Sequence, residues 1–286
     1  LFIFFINSYL MSEDIEIISD NIKIFENGTI LKSTNSEAKF EKKKLLLRAE
    51  KSTYDKIKQK IFLENNVFFK DKIKNVEIEA EKASYNQKLD TLKTIGETKI
   101  NYENKYKILS SNLFYNRKEE EISSKFETSI KDIEGNIYNI QDSFKFNLSK
   151  ETISAKKVSI IDNKNNIYYF ENTRINLISK EVIGKELKID FVDDYFGNSK
   201  NDPILKGRSA ISNDKYTKIY NSVFTTCNTE NKVCPGWQIE TKEFTHDKIN
   251  KSFNYKNSWV KMFDKEIFYL PFFSHPDPTV NRKSGF

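Results

Sequence analysis

The sequence predicts an all-β fold of stacked antiparallel strands, and three observations predict it. Apolar and polar side chains alternate with a period of two over several stretches, no stretch keeps a helical period for three turns, and an aromatic-plus-turn pair recurs about every 31 residues.

At the N-terminus, Leu1-Phe2-Ile3-Phe4-Phe5-Ile6-Asn7-Ser8-Tyr9-Leu10 is an apolar run about half as long as the ~20 residues a spanning helix needs. It reads as the remnant of a secretory signal peptide over residues 1–12, with the mature chain starting near Glu13 in an oxidising compartment. A buried first strand is the alternative. Alternation is clearest at Val76-Glu77-Ile78-Glu79-Ala80-Glu81, where apolar and acidic residues take strict turns, so one face is buried and the other wet. Similar patterns run through Ile57-Gln59-Ile61-Leu63, Ile122-Ser124-Phe126-Thr128-Ile130, Phe144-Phe146-Leu148 and Leu187-Ile189-Phe191. Leu45 to Glu50 has helical propensity but is too short to stand as a helix.

Tyr54-Asp55, Tyr85-Asn86, Tyr115-Asn116 and Phe146-Asn147 mark the repeat, at intervals of 31, 30 and 31 residues, and Leu177 extends it. At roughly 3.3 Å per residue, such a unit suits two long strands and two turns stacked on the next pair. A filled solenoid and a folded-over jellyroll with an open seam both satisfy the pattern. Natural solid cores also mix residue sizes, so a filled core is the default reading.

Composition narrows the function. The chain has 286 residues, 31% charged and 14% aromatic, with a formal net charge of +6 spread along its length. Acidic residues interrupt every basic run, which argues against a nucleic-acid surface. No phosphate-binding loop, nucleophile elbow, dinucleotide fingerprint or His-Glu-x-x-His motif occurs, so the sequence points away from an enzyme and implies no cofactor. His246, His275, Cys227 and Cys234 fit no compact zinc spacing. His246 reads as a turn residue and His275 as a packing or capping one. Cys227 and Cys234 enclose six residues and are disulfide candidates, either with each other or with cysteines elsewhere.

The last residues, Phe268-Tyr-Leu-Pro-Phe-Phe-Ser-His-Pro-Asp-Pro-Thr-Val-Asn-Arg-Lys-Ser-Gly-Phe286, hold three of the five prolines. This segment resembles the join between periplasmic domain and outer-membrane barrel in the OstA (LptD) family of lipopolysaccharide (LPS)-assembly proteins. Tyr220 to Cys227, Trp237-Gln238-Ile239 and Thr245-His246-Asp247 follow that family's landmarks in order. The resemblance implies an OstA/LptA-like β-jellyroll with an open seam over residues 13–270, then a Pro-rich linker, 271–286, to a barrel. It implies a chain at the periplasmic face of the outer membrane that binds LPS and passes it to the barrel. The implied partners are LPS, a periplasmic bridge protein joined by edge-strand pairing, and the lipoprotein plug of the barrel. The interior lining expected to meet lipid is Ile61, Leu63, Val76, Ile78, Ile122, Phe126, Phe144 and Phe146. No cysteine lies near the expected mature N-terminus, unlike in some of these relatives, so their disulfide scheme does not transfer whole. A soluble bridge protein of the same fold and a structural β-solenoid surface protein are the rival readings.

Overall fold

The computed structural model describes residues 2–5, 15–163, 165–190, 204–225, 236–276 and 280. Cys227, Cys234 and the closing Arg-Lys-Ser-Gly-Phe lie outside the described residues. Among the described residues the regular structure is β throughout except for one 3-10 turn at Glu26–Gly28, and the strands pair antiparallel, consistent with the expected jellyroll class. Leu45–Asp55, with its short helical propensity, is a strand.

The span expected as one jellyroll divides into two compact units, Leu1–Glu134 with Asp142–Ser149, and Gly135–Gln141 with Lys150–Phe286. Unit 1 opens with β1 (Phe2–Phe5), β2 (Ile15–Ser19), β3 (Asn21–Phe25) and β4 (Ile30–Phe40). It continues with β5 (Leu45–Asp55), β6 (Lys60–Asp71), β7 (Val76–Asn86) and β8 (Thr91–Tyr102), each paired to the next. Two halves then share each strand position. β9 (Tyr106–Ser111) and β10 (Phe114–Asn116) both pair with β8. Beyond them, β11 (Glu121–Ser124) pairs with β10, and β12 (Thr128–Asp132) pairs with β9. Of the N-terminal apolar run, Phe2–Phe5 is described, and it pairs as β1 with β2 from Phe2↔Ser19 to Phe5↔Glu16.

Unit 2 holds β13 (Ile137–Ile140), while β14 (Phe144–Asn147) belongs to unit 1, where it pairs with β11. The rest of unit 2 is a meander: β15 (Thr152–Ile161), β16 (Ile167–Asn176), β17 (Glu181–Asp190), β18 (Ile204–Ser212), β19 (Tyr216–Thr225), β20 (Trp237–Asp247), β21 (Ser252–Met262) and β22 (Lys265–Pro276). β22 runs through Pro276, so the linker expected from residue 271 begins six residues inside a strand. Pro271 is tolerated there because, among the described residues, β22 pairs only with β21, and edge strands accept proline.

Alternate long strands carry residues with positive φ near their middle, Asn35 in β4, Asn65 and Asn66 in β6, Gly96 in β8, Lys157 in β15, Glu186 in β17, Asn221 in β19 and Asn257 in β21, the first three corners 30 and 31 residues apart. The extra residue breaks the ladder and sharpens the twist, as a β-bulge does. The register accordingly shifts between Glu64 and Val67 and between Ala80 and Lys82. Burial follows, with Val76 and Ile78 pointing inward before the corner of β7 and Ala83 and Tyr85 after it. Gly96, at φ +82°, takes its corner without a side-chain penalty.

Turns are punctuated by Asp and Asn. The Asp71 Oδ1 accepts from the N–H groups of Ile73 and Lys74, both at 3.0 Å, and Asp55, Asn86, Asn116, Asn176, Asn213 and Asp247 cap their turns likewise. At Asp55, Asn86 and Asn116 the Asx half of the repeat is therefore a turn cap, and the aromatic half points inward. Ile57 and Gln59, expected in a strand, belong to the turn between β5 and β6, where Ile57 is 77% exposed. His246, expected in a turn, lies in β20, its ring edge-on to Phe253 at 4.7 Å.

In unit 2, Gly184 leaves room for Phe170, whose Cδ1 would lie 2.1 Å from an added Cβ. Gly184→Ala should therefore expel the buried Phe170 ring and cost about 1–3 kcal/mol by overpacking. Urea unfolding reads this directly, and an unchanged midpoint would refute the close packing.

Candidate functional site

Folding each strand at its corner brings the two ends of the strand together. The turns 56–59, 87–90, 117–120 and 148–151 form one row, in which the Gln87 N–H donates to Gln59 O, the Arg117 N–H to Asp90 O and the Leu148 N–H to Glu120 O. The turns 41–44, 72–75 and 103–105 form a second row, through Lys72 N–H to Lys44 O and Glu103 N–H to Asn75 O. Between the rows lies a seam. In unit 1, among the described residues, these turn-to-turn backbone bonds run along a row, and the bonds that span the seam are made by side chains.

Behind the seam the interior of unit 1 is layered. At the corners, hydroxyls pair with one another: Ser33 with Ser52 at 2.5 Å, Thr94 with Thr98 at 2.7 Å and Ser110 with Thr128 at 2.7 Å. Small polar residues fit where two bent backbones approach, and the pairing removes the cost of burying them. Aliphatic side chains, among them Leu47, Leu63, Ile78, Ile100 and Ile108, fill the middle. Aromatic rings lie behind the mouth. Tyr85, Tyr115 and Phe146, from the ends that feed the first row, meet Phe40, Phe69, Tyr102 and Tyr106, from the ends that feed the second, with centroids 5.4–6.1 Å apart.

The seam itself is charged. Arg117 donates through Nε to Asp71 at 2.6 Å, through Nη1 to Asp90 at 3.1 Å and through Nη2 to the Lys43 carbonyl at 2.8 Å. Tyr115 Oη donates to Asp71 at 3.0 Å and Tyr85 Oη to Asp90 at 2.5 Å. Lys43 reaches across to the Gln87 carbonyl at 3.1 Å and to Asp90 at 3.7 Å. Lys74 is paired with Glu120, and that hydrogen bond holds the Glu120 carboxyl below its ordinary value. Farther along, Tyr102 Oη donates to Leu148 O at 3.1 Å. Burial by itself would push the Arg117 guanidinium down, but its hydrogen bonds and charge pairing with Asp71 and Asp90 overcome this and hold it above its ordinary value. Burial, reinforced by the charge of Asp71, pushes the Tyr115 phenol well above the tyrosine range.

Of the residues expected to line the interior, Ile61, Leu63, Val76, Ile78, Ile122, Phe144 and Phe146 are brought together inside unit 1, each 2% exposed or less. Phe126 is not among them. It sits on the bend between β11 and β12, 47% exposed, at the corner that continues the series from Gly96, so the alternation through Ile122 breaks there. Phe40, Phe69, Tyr85 and Tyr115 were absent from the expected lining. The recurrence of Tyr85, Tyr115 and Phe146 was the available signal.

In unit 2 the interior opens toward the last strand. Phe268 and Phe273 of β22, opposite Val260 and Tyr255, are 50% and 38% exposed. His275 packs there against Tyr255 at 5.6 Å, with its Nε2 3.2 Å from the Tyr255 hydroxyl. Burial pushes the Tyr255 phenol up. Ser222 and Ser258, on strands flanking β20, are buried with no hydrogen-bond partner for their hydroxyls among the described residues. No helix among the described residues is long and apolar enough to cross a membrane, which leaves membrane β-barrels unaddressed.

Residues 39–153 match the family model described as lipopolysaccharide-assembly, LptC-related. Over these residues the chain is similar to that family, and the match supports a role in LPS transport and assembly. It covers less than half of the chain, nearly all of it in unit 1, and does not single out the barrel-linked LptD branch. No curated protein matches the chain.

Two measurements check the seam. Asp71→Ala leaves Arg117 buried without its closest partner and should cost about 3–5 kcal/mol in chemical unfolding, whereas Glu103→Ala, which removes an exposed pair with Lys105, should cost under about 1 kcal/mol. The raised Tyr115 means that the folded chain holds this proton more tightly than the unfolded one. Its contribution is complete below the unfolded tyrosine value of about 10 and is lost as pH rises above that. Tyr115→Phe should make the fall in stability from about pH 9 to 11 shallower than in the parent, and equal slopes would disprove the assignment.

Proposed function

We propose that the chain shelters the acyl chains of LPS inside unit 1 and passes the lipid to an outer-membrane barrel, as the periplasmic domain of an LptD-type protein. The observation that carries this reading is an apolar interior, spanning the region matched by the LPS-assembly family, whose two rows of turns are bridged by side chains. Shelter is needed because each buried CH₂ is worth about 0.8 kcal/mol, so one chain of about twelve carbons would lose roughly 10 kcal/mol in water. The phosphorylated sugar would stay outside, near Lys42, Lys44, Lys72, Lys88 and Lys118 on the exposed turns that flank the seam. The terminal resemblance supports the barrel as recipient, with its lipoprotein plug as a further partner. The apolar β22, with no strand beyond it among the described residues, suits edge pairing with a bridge protein.

One observation favours the structural β-solenoid instead. The lining residues pack against the chain's own side chains and are closed to solvent. A small diazirine-bearing aliphatic residue in place of Ile78, with one in place of the outward Glu79 as control, separates the readings. Illumination should capture LPS from position 78 and not from 79. Capture at neither position assigns the interior to packing alone, and capture only at 79 reverses the faces.

A further inference from the structure

We propose that Arg117, Asp71, Asp90 and Lys43, with the Lys74–Glu120 pair, form a latch across the seam of unit 1 that must part before an acyl chain can enter the interior. The inference rests on the lipid-binding reading and adds what holds the seam shut.

Three observations carry it. The bonds that close the seam are side-chain bonds, so parting the rows breaks no strand ladder. Elsewhere around the interior of unit 1 the walls are ladders on either side of each corner, such as β5 with β6 and β6 with β7, whose opening would sacrifice many backbone bonds at once. The latch is also made of groups unsuited to simple packing. Asp71 is fully buried, and Asp90 nearly so, although apolar residues of similar volume in place of a buried ion pair are often as stable or more so. A buried ionic cluster is more apt for holding two elements in register and releasing them, because parting exposes its charges to water, which solvates them. Directly behind it, Tyr85 and Tyr115 serve both layers. Their hydroxyls bind Asp90 and Asp71, while their rings meet Phe69, so the aromatic plug and the ionic latch move as one.

The test tethers the seam without removing any latch residue from its centre. In a full chain carrying Cys227→Ser, Cys234→Ser, Lys74→Cys and Glu120→Cys, with the diazirine residue at position 78, a reducible bis-methanethiosulfonate tether joins the two rows. Purified LPS is then added and illuminated. Capture should be lost in the tethered protein and restored after dithiothreitol. Equal capture in the two states would overturn the latch while leaving the lipid-binding reading standing. Absence of capture in both states would overturn the lipid-binding reading itself, and the latch with it.

Discussion

The corner in each strand is the constraint on which the rest depends. An eleven-residue strand that stayed straight would hold its two terminal turns far apart, at opposite edges of a flat sheet. An inserted residue in the left-handed region, at Asn35, Gly96 or Lys157, folds the strand and turns one sheet into two facing walls. The interior, the aromatic mouth and the seam all follow from that fold. The buried hydroxyl pairs are a consequence as well, because only short side chains fit inside the bend, and once there they need each other.

Much of this was legible in the sequence, for a physical reason. A repeat that stacks on itself must present the same groups at the same place in each layer, and Tyr54, Tyr85, Tyr115 and Phe146 do so beside an Asp or Asn. The strand faces were readable wherever no corner intervened, as at Val76 and Ile78. They failed at Phe126, where the corner resets the alternation, and at Ile57, where a turn begins. Corners leave a weak trace because Lys157 and Glu186 occupy left-handed backbone there without any of the usual markers. The chain has only 8 glycines, so positions where glycine would have signalled a turn or corner carry Lys, Glu, Gln or Asn instead.

The seam was not legible at all. Arg117 finds Asp71 and Asp90 at separations of 46 and 27 residues, and nothing in a one-dimensional reading brings those distances together. Composition even hides them, since a chain with 31% charged residues offers many equivalent pairs on its surface. What distinguishes this cluster is burial. Among the described residues most ion pairs, such as Lys99–Glu97 and Lys145–Glu121, involve substantially exposed side chains and contribute little, whereas Arg117 and its two carboxylates lie between the rows of turns.

An interior that is closed to solvent is compatible with carrying lipid only if closure is reversible, and this sets what the seam must be. An apolar cavity held permanently open to water would expose the surface that a transported acyl chain is meant to replace, at a cost that grows with area. Filling it with the protein's own rings removes that cost, and on the proposed reading an entering acyl chain would displace rings rather than water. The exchange would be close to balanced, since apolar contact would be given up and regained in similar amounts. Near-balance is what a conduit requires, because a lipid held much more tightly than the rings it displaces would not move on. On the proposed reading, charge at the mouth would control access without adding affinity inside, separating the decision to open from the strength of holding.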